Sequence, residues 1–277
     1  MNSNCPVNLH ACMDLITKLS RQAGKLIKSR IDQEKSIETK ANRIDFVTET
    51  DLEVEKMLIE GIKNTYPSHK FIGEESFAAG TREKLSSTPT WVIDPVDGTT
   101  NFVHGYPNVC ISIGLVIDCE VQLGVIFNPI LDMFFRAIKG EGAYLNDEPI
   151  RVSDSKCLSD SLVSVEYGSL RTDEFTGIVN HNISYLAKHA HGIRSGGSAA
   201  WNLAMVAKGA SDLYVEMGIH AWDIAAGDII VREAGGVVID PAGCHFELMN
   251  RRILAASSQE LANEISPKLK QYFPEHD

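Results

Sequence analysis

Trp91-Val92-Ile93-Asp94-Pro95-Val96-Asp97-Gly98-Thr99-Thr100-Asn101 runs from three apolar residues into two carboxylates, a glycine and two hydroxyls. The aromatic and β-branched residues before Asp94 favour a core strand, which predicts Asp94 at the point where that strand leaves the core. Pro95 keeps Asp94 out of the α conformation and fixes its own φ, so a sharp, stiff turn is expected here. Such a turn lets Asp94, the carbonyl of Val96 and Asp97 converge on one small volume, as oxygen ligands of a hard divalent cation must. Gly98, Thr99 and Thr100 then read as a helix start, whose free N–H groups and positive dipole end suit a phosphate. Taken alone, the same cluster is also the composition of an ordinary turn.

Two further acidic segments lie outward from this stretch. Glu74 and Glu75 follow the apolar pair Phe71 and Ile72 and precede Ser76, which places them at another strand end. Far downstream, Trp222 and Asp223 open a helical pattern through Ile224, Ala225, Ala226, Ile229, Ile230, Val231 and Ala234 that stops at Gly235 and Gly236. Asp223 falls in the first turn of that helix, where its charge is favourable, and by itself reads as a cap.

Elsewhere, Leu9, Met13, Ile16, Leu19, Ala23, Leu26 and Ile27 recur at helical spacing and predict an amphipathic first helix. A second helix is expected over 48–66: Thr48 and Asp51 have capping spacing, Val54, Met57, Leu58 and Ile62 form the apolar face, and Pro67 ends it. The pattern changes to strands over 110–143, with a hairpin turning at Asp118, Cys119 and Glu120. After about residue 155, apolar runs at 162–165, 213–215, 237–239 and 253–256 alternate with helices and suggest a second, more parallel sheet. No repeat, low-complexity tract or linker-like break interrupts the chain.

The formal net charge of −11 over 277 residues argues against nucleic acid or an anionic membrane as the main partner and suits a cation binder. Cys5, Cys12, Cys110, Cys119, Cys157 and Cys244 form no CxxC pair, so reduced thiols in a cytoplasmic protein are expected, and zinc ligation is disfavoured by their spacing. No apolar run approaches the length that spans a bilayer.

Segments 73–76, 91–105, 191–200 and 216–236 together resemble the inositol monophosphatase family of lithium-sensitive, magnesium-dependent sugar phosphatases, and their order and spacing extend the resemblance over nearly the whole chain. It implies an α+β fold: a layered α-β-α-β-α sandwich with an antiparallel N-terminal sheet and a mixed, mostly parallel C-terminal sheet. A single catalytic domain over 1–277 is expected, with halves of about 1–150 and 151–277 packed around the active site. By resemblance, Glu74, Asp94 and the carbonyl of Val96 hold a first Mg2+ and Asp94, Asp97 and Asp223 a second, with Asp94 bridging. Two such cations activate a water on one side of phosphorus and stabilise the leaving oxygen on the other, so no side-chain nucleophile is required. Thr99, hydrogen-bonded toward Glu74 or Asp51, would orient the water, and Asp51 is either the acidic residue near a weaker third Mg2+ or simply a helix cap.

The same resemblance gives the phosphate to the backbone N–H groups of Gly98 and Thr99, and counts Glu74, Val96, Asp97 and Asp223 among the substrate-contacting positions. Glu216 resembles the acceptor for ring hydroxyls, although without the resemblance it would read as a solvated loop carboxylate, and Gly197, Ser198 and Ala199 resemble a backbone wall beside the ring. His104, His191 and His220 read as structural groups because His is a poor magnesium ligand; Trp91, Trp201 and Trp222 read as packing residues, and Arg194 as a partner for a carboxylate near the site or between subunits. The implied reaction is hydrolysis of inositol monophosphates to myo-inositol and phosphate, feeding inositol biosynthesis and phosphatidylinositol signalling, in a lithium-sensitive homodimer. Hydrolysis of another sugar or nucleotide phosphate is the alternative within the fold. A non-catalytic regulatory binder is the alternative outside it, disfavoured because Glu74, Asp94, Asp97, Thr99 and Asp223 are all present.

Overall fold

The computed structural model describes residues 7–35, 37–39 and 46–276. Its first half contains α1 (Leu9–Arg30), β1 (Ile37–Thr39), β2 (Phe46–Thr48), α2 (Glu49–Thr65), β3 (Lys70–Gly73), α3 (Glu74–Ala78), β4 (Thr90–Asp97) and α4 (Thr99–Val103). Five strands follow: β5 (Cys110–Ile117), β6 (Glu120–Asn128), β7 (Met133–Ile138), β8 (Ala143–Leu145) and β9 (Glu148–Ile150). The second half alternates β10 (Leu162–Val165), α5 (Asp173–His189), β11 (Gly192–Arg194), α6 (Ala199–Ala207), β12 (Leu213–Met217) and α7 (Ala221–Glu233). It closes with β13 (Val237–Ile239), β14 (Arg252–Ala256) and α8 (Gln259–Ile265).

Strands β3 to β9 form one seven-stranded sheet in chain order, antiparallel except for the parallel pair β3 and β4. The expected hairpin is β5 and β6, closed by Asp118 and Cys119, both at positive φ (53° and 62°), the geometry whose twist matches a two-residue hairpin loop. The second sheet has the order β11-β10-β12-β14-β13. It is mixed and mostly parallel, as expected: β10, β11, β12 and β13 run in one direction, and β14 alone is reversed, antiparallel to both β12 and β13. The physical reason is the connections. Helices α5, α6 and α7 each carry the chain back to start a parallel strand, while a connection with only a 3-10 turn at Leu248–Asn250 joins β13 to β14 and returns the chain in the opposite direction, between β12 and β13.

Alternation along the strands builds the layers. On β4, Trp91 and Ile93 pack with α1 and α2, while Val92 faces the layer of α6 and α7. On β12, Tyr214 faces that same middle layer, and Leu213 and Val215 pack on the opposite face with α8. The result is helices, sheet, helices, sheet, helices, with α7 sandwiched and buried over most of its surface. Its close approach to the first sheet depends on two glycines: a Cβ on Gly114 would stand 2.9 Å from Ala225 Cβ, and one on Gly124 would stand 2.8 Å from the Ala226 carbonyl oxygen. That approach brings the first turn of α7, and Asp223 with it, to the end of β4.

Among the described residues, no helix is long and apolar enough to cross a membrane. Cys12, Cys110, Cys119, Cys157 and Cys244 are free thiols, and Cys5 lies outside the described residues.

Candidate active site

Pro95 does not turn the chain as expected. Strand β4 continues through it to Asp97, with the pairing to β5 slipping between Asp94 and Asp97. A bulge accommodates a residue without an N–H, and the Val96 N–H turns inward to Asp94 Oδ1 at 2.9 Å. The reversal comes at Gly98, whose φ of 93° and 2.8 Å Cβ-to-carbonyl approach to Asn108 leave no room for a side chain. Thr99 then begins the five-residue α4, as the sequence suggests.

This geometry gathers the acidic residues. Carboxylate oxygens of Asp94, Asp97 and Asp223 all lie within 4.8 Å of one another. They come from the bulged end of β4 and from the first turn of α7, where Asp223 Oδ2 accepts the His220 N–H at 2.7 Å. The helix-cap reading of Asp223 is therefore correct, and compatible with a place in the cluster. Ser112 Oγ, on β5, donates to the Trp222 carbonyl at 3.0 Å and ties the start of α7 to the first sheet.

Burial and crowding set the electrostatics. Asp94 is 2 % exposed, and burial, then the charges of Glu74, Asp97 and Asp223, push its carboxyl well above the ordinary range. Asp97 is pushed up to about 7 by burial against the opposing effect of its donors, Ser198 Oγ at 2.7 Å and the Ala200 N–H. These donors are the N-cap and first turn of α6, so the second half of the chain holds a carboxylate of the first. Several mutually repelling carboxylates in so small a volume are the donor set a hard cation would neutralise, and Asp94, Asp97 and Asp223 fit one.

Thr99 Oγ1 stands 3.1 Å from Asp51 Oδ1 and 3.1 Å from the Val96 carbonyl. Of the two expected partners for Thr99, the structure supplies Asp51. Asp51 is also the cap it resembled: its Oδ2 accepts the Thr48 N–H at 3.0 Å and the Thr48 hydroxyl, closing α2 with a capping box. Glu74 opens α3 beside Asp94 and lines the same cavity.

That cavity, of about 1100 Å³, is lined by Glu74, Asp94, Val96, Asp97, Gly98, Thr99, Gly197 to Ala199, Glu216 and Asp223. Glu216 is no solvated loop residue: it sits on β12, 6 % exposed, with its carboxyl raised well above the usual range by burial and then by Glu166. Trp222 does more than pack. Its ring stacks on His220 at 4.4 Å and 5°, and both rings line the cavity, as does His104. Within the chain, the carboxylate contact near the site is made by the neighbour of Arg194, since Ser195 Oγ donates to Glu166 at 2.6 Å while Arg194 Nη1 reaches the Ile193 carbonyl.

Four supporting residues escaped the sequence reading. Glu166 accepts from Ser195 Oγ, Gly197 N–H and Asn202 Nδ2, clamping the loop that carries Ser198. Glu55 accepts the Glu75 and Ser76 N–H groups at 2.8 and 2.9 Å and aligns the strand end before α3. Asn101 reaches the carbonyls of Asn108 and Gly196, both at 2.8 Å, linking the two halves. Tyr214 donates to Glu216. Only Glu55 carried a hint, as a carboxylate at the apolar spacing of α2, with Val54 and Leu58 buried beside it.

Comparison with known proteins agrees with this architecture. A family profile described as the inositol monophosphatase family matches residues 9–273. The chain is 46 % identical over 260 residues to inositol monophosphatase 1 of Bos taurus and to that of Homo sapiens, covering 94 % of this chain and 94 % of each relative. The solved structure of an IMPase from Thermotoga maritima superposes with a TM-score of 0.83 at 36 % identity, covering 93 % of this chain and 96 % of that one.

Proposed function

The chain belongs to the inositol monophosphatase family, and from that premise we propose that it is a magnesium-dependent phosphomonoesterase that hydrolyses inositol monophosphates to myo-inositol and phosphate. One observation carries the reading: Asp94, Asp97 and Asp223 meet in the lining of one cavity, with Thr99 and Asp51 hydrogen-bonded to each other and Glu216 buried in the same lining. Glu74, Asp94, the Val96 carbonyl, Asp97 and Asp223 would hold two or three Mg2+. When bound, these ions supply Lewis-acid activation of water and neutralise charge on the phosphoryl group.

The chain's own residues do the rest. Thr99 orients the attacking water, its hydroxyl directed by Asp51 Oδ1, which can in turn take up the proton. Gly98 and Thr99 present backbone N–H groups at the start of α4 to the phosphate. Glu216 accepts from a ring hydroxyl, and Gly197, Ser198 and Ala199 wall the ring. Residues 1–277 act as one catalytic unit whose two halves enclose the site. A cytoplasmic homodimer is the family-based assembly, and sedimentation should report twice the 30.4 kDa chain mass; a monomeric mass rejects it.

The cavity is large enough for other phosphomonoesters, so substrate choice is the test. Phosphate release should be fastest, by kcat/KM, for an inositol monophosphate among a panel including fructose 1,6-bisphosphate and adenosine 2′-phosphate. A higher value for either of the others overturns the assignment.

A further inference from the structure

Tyr214 and Glu216 stand two residues apart on β12 and so share the face turned toward α6 and α7. Tyr214 is fully buried, and its hydroxyl donates to Glu216 Oε2. The other oxygen, Oε1, faces the backbone of Gly168, where a Cβ would stand only 3.0 Å away; Gly168 and Glu216 both line the cavity. One oxygen is therefore committed to the protein, and the other lies at the cavity wall.

A glutamate's terminal torsion is broad and roughly two-fold, so packing alone does not decide how its carboxylate is turned. Around Glu216 the charged neighbours are Glu166, Asp223 and Asp97, all carboxylates that repel it rather than hold it. Glu166 is itself occupied by Ser195, Gly197 and Asn202. The directional contact that Tyr214 makes is thus what opposes rotation of the group.

We propose that Tyr214 is a positioning residue for substrate selection: its hydroxyl fixes Oε2 of Glu216 so that Oε1 is presented to a hydroxyl on the alcohol half of the substrate. This rests on the functional reading above. It assigns Tyr214 to recognition of the alcohol and not to attack on phosphorus, which belongs to Thr99 and Asp51.

Tyr214→Phe deletes one oxygen and keeps the buried ring. With inositol 1-phosphate, KM should rise about tenfold, the loss of one buried hydrogen bond, with kcat held within about twofold. With glycerol 2-phosphate, a phosphomonoester lacking the ring, both constants should stay within about twofold. In a Glu216→Gln background the added Tyr214→Phe change should cost far less than it does alone, because the two act through one contact. Equal losses on both substrates, no loss on either, or full additivity with Glu216→Gln would overturn the positioning role. A wild-type protein that hydrolyses glycerol 2-phosphate but not inositol 1-phosphate would instead overturn the functional reading, and this inference with it.

Discussion

Asp51 carries two duties on two oxygens: Oδ2 closes the start of α2 on Thr48, and Oδ1 receives the Thr99 hydroxyl. The sequence presents capping and catalysis as alternatives for this residue, but a capping box occupies one carboxylate oxygen and leaves the other available. Asp97 has a measurable consequence at the same scale. Its carboxyl is pushed up to about 7 from an ordinary 3.8, so between those limits the folded chain holds a proton that the unfolded chain has released. That contribution to stability is complete below pH 3.8 and is lost as pH rises through about 7. A divalent cation competes for the same oxygens, so the stabilisation it gives must grow over the same window. Thermal melts with and without excess Mg2+ should show a larger Tm increase near pH 8 than near pH 5. An increase independent of pH would remove Asp97 from the metal site.

Helix starts organise the site at the level of elements. The first turn of α7 delivers Asp223, that of α6 delivers Ser198 and the Ala200 N–H to Asp97, and that of α2 delivers Asp51. Ser198→Ala removes both the cap of α6, which accepts the Trp201 N–H at 3.0 Å, and a donor to Asp97. The expected cost is about 1 kcal/mol of stability from the cap, together with weaker Mg2+ binding, read by denaturant unfolding and by calorimetric titration. Unchanged metal affinity would limit Ser198 to capping. These elements were largely legible, because Gly98, the Thr48 and Asp51 spacing and the apolar stripes each have a local physical cause. The bulge at Pro95 was not, since whether a proline turns a chain or sits in an irregular strand depends on the neighbouring β5. Glu166 and Tyr214 were hidden for a similar reason: the partners of Glu166 are chosen by how the end of β10 meets the segment 195–202, and that of Tyr214 by which face of β12 is buried. No spacing in the chain announces either.

For the molecule as a whole, five layers place the site where the two sheets' contributions meet. Asn101 on the Gly196 carbonyl, Ser198 on Asp97 and Ser112 on the Trp222 carbonyl cross between segments about a hundred residues apart in sequence. The five-layer arrangement and the mostly parallel second sheet followed from the order of the elements together with the family resemblance, whereas the insertion of β14 antiparallel between β12 and β13 depended on a connection that carries no directional signal. Because that framework assembles the acidic cluster, a charge removed from the cluster should disable chemistry without unfolding the chain. The decisive measurement is phosphate release from inositol 1-phosphate as Mg2+ is titrated into chelator-treated protein, with wild type and Asp94→Asn side by side. Wild type should be inactive without the cation and saturate with it, while the variant should lose on the order of a hundredfold or more in rate and keep its circular dichroism spectrum. Release that persists in chelator, or an Asp94→Asn variant that turns over like wild type, would contradict the account.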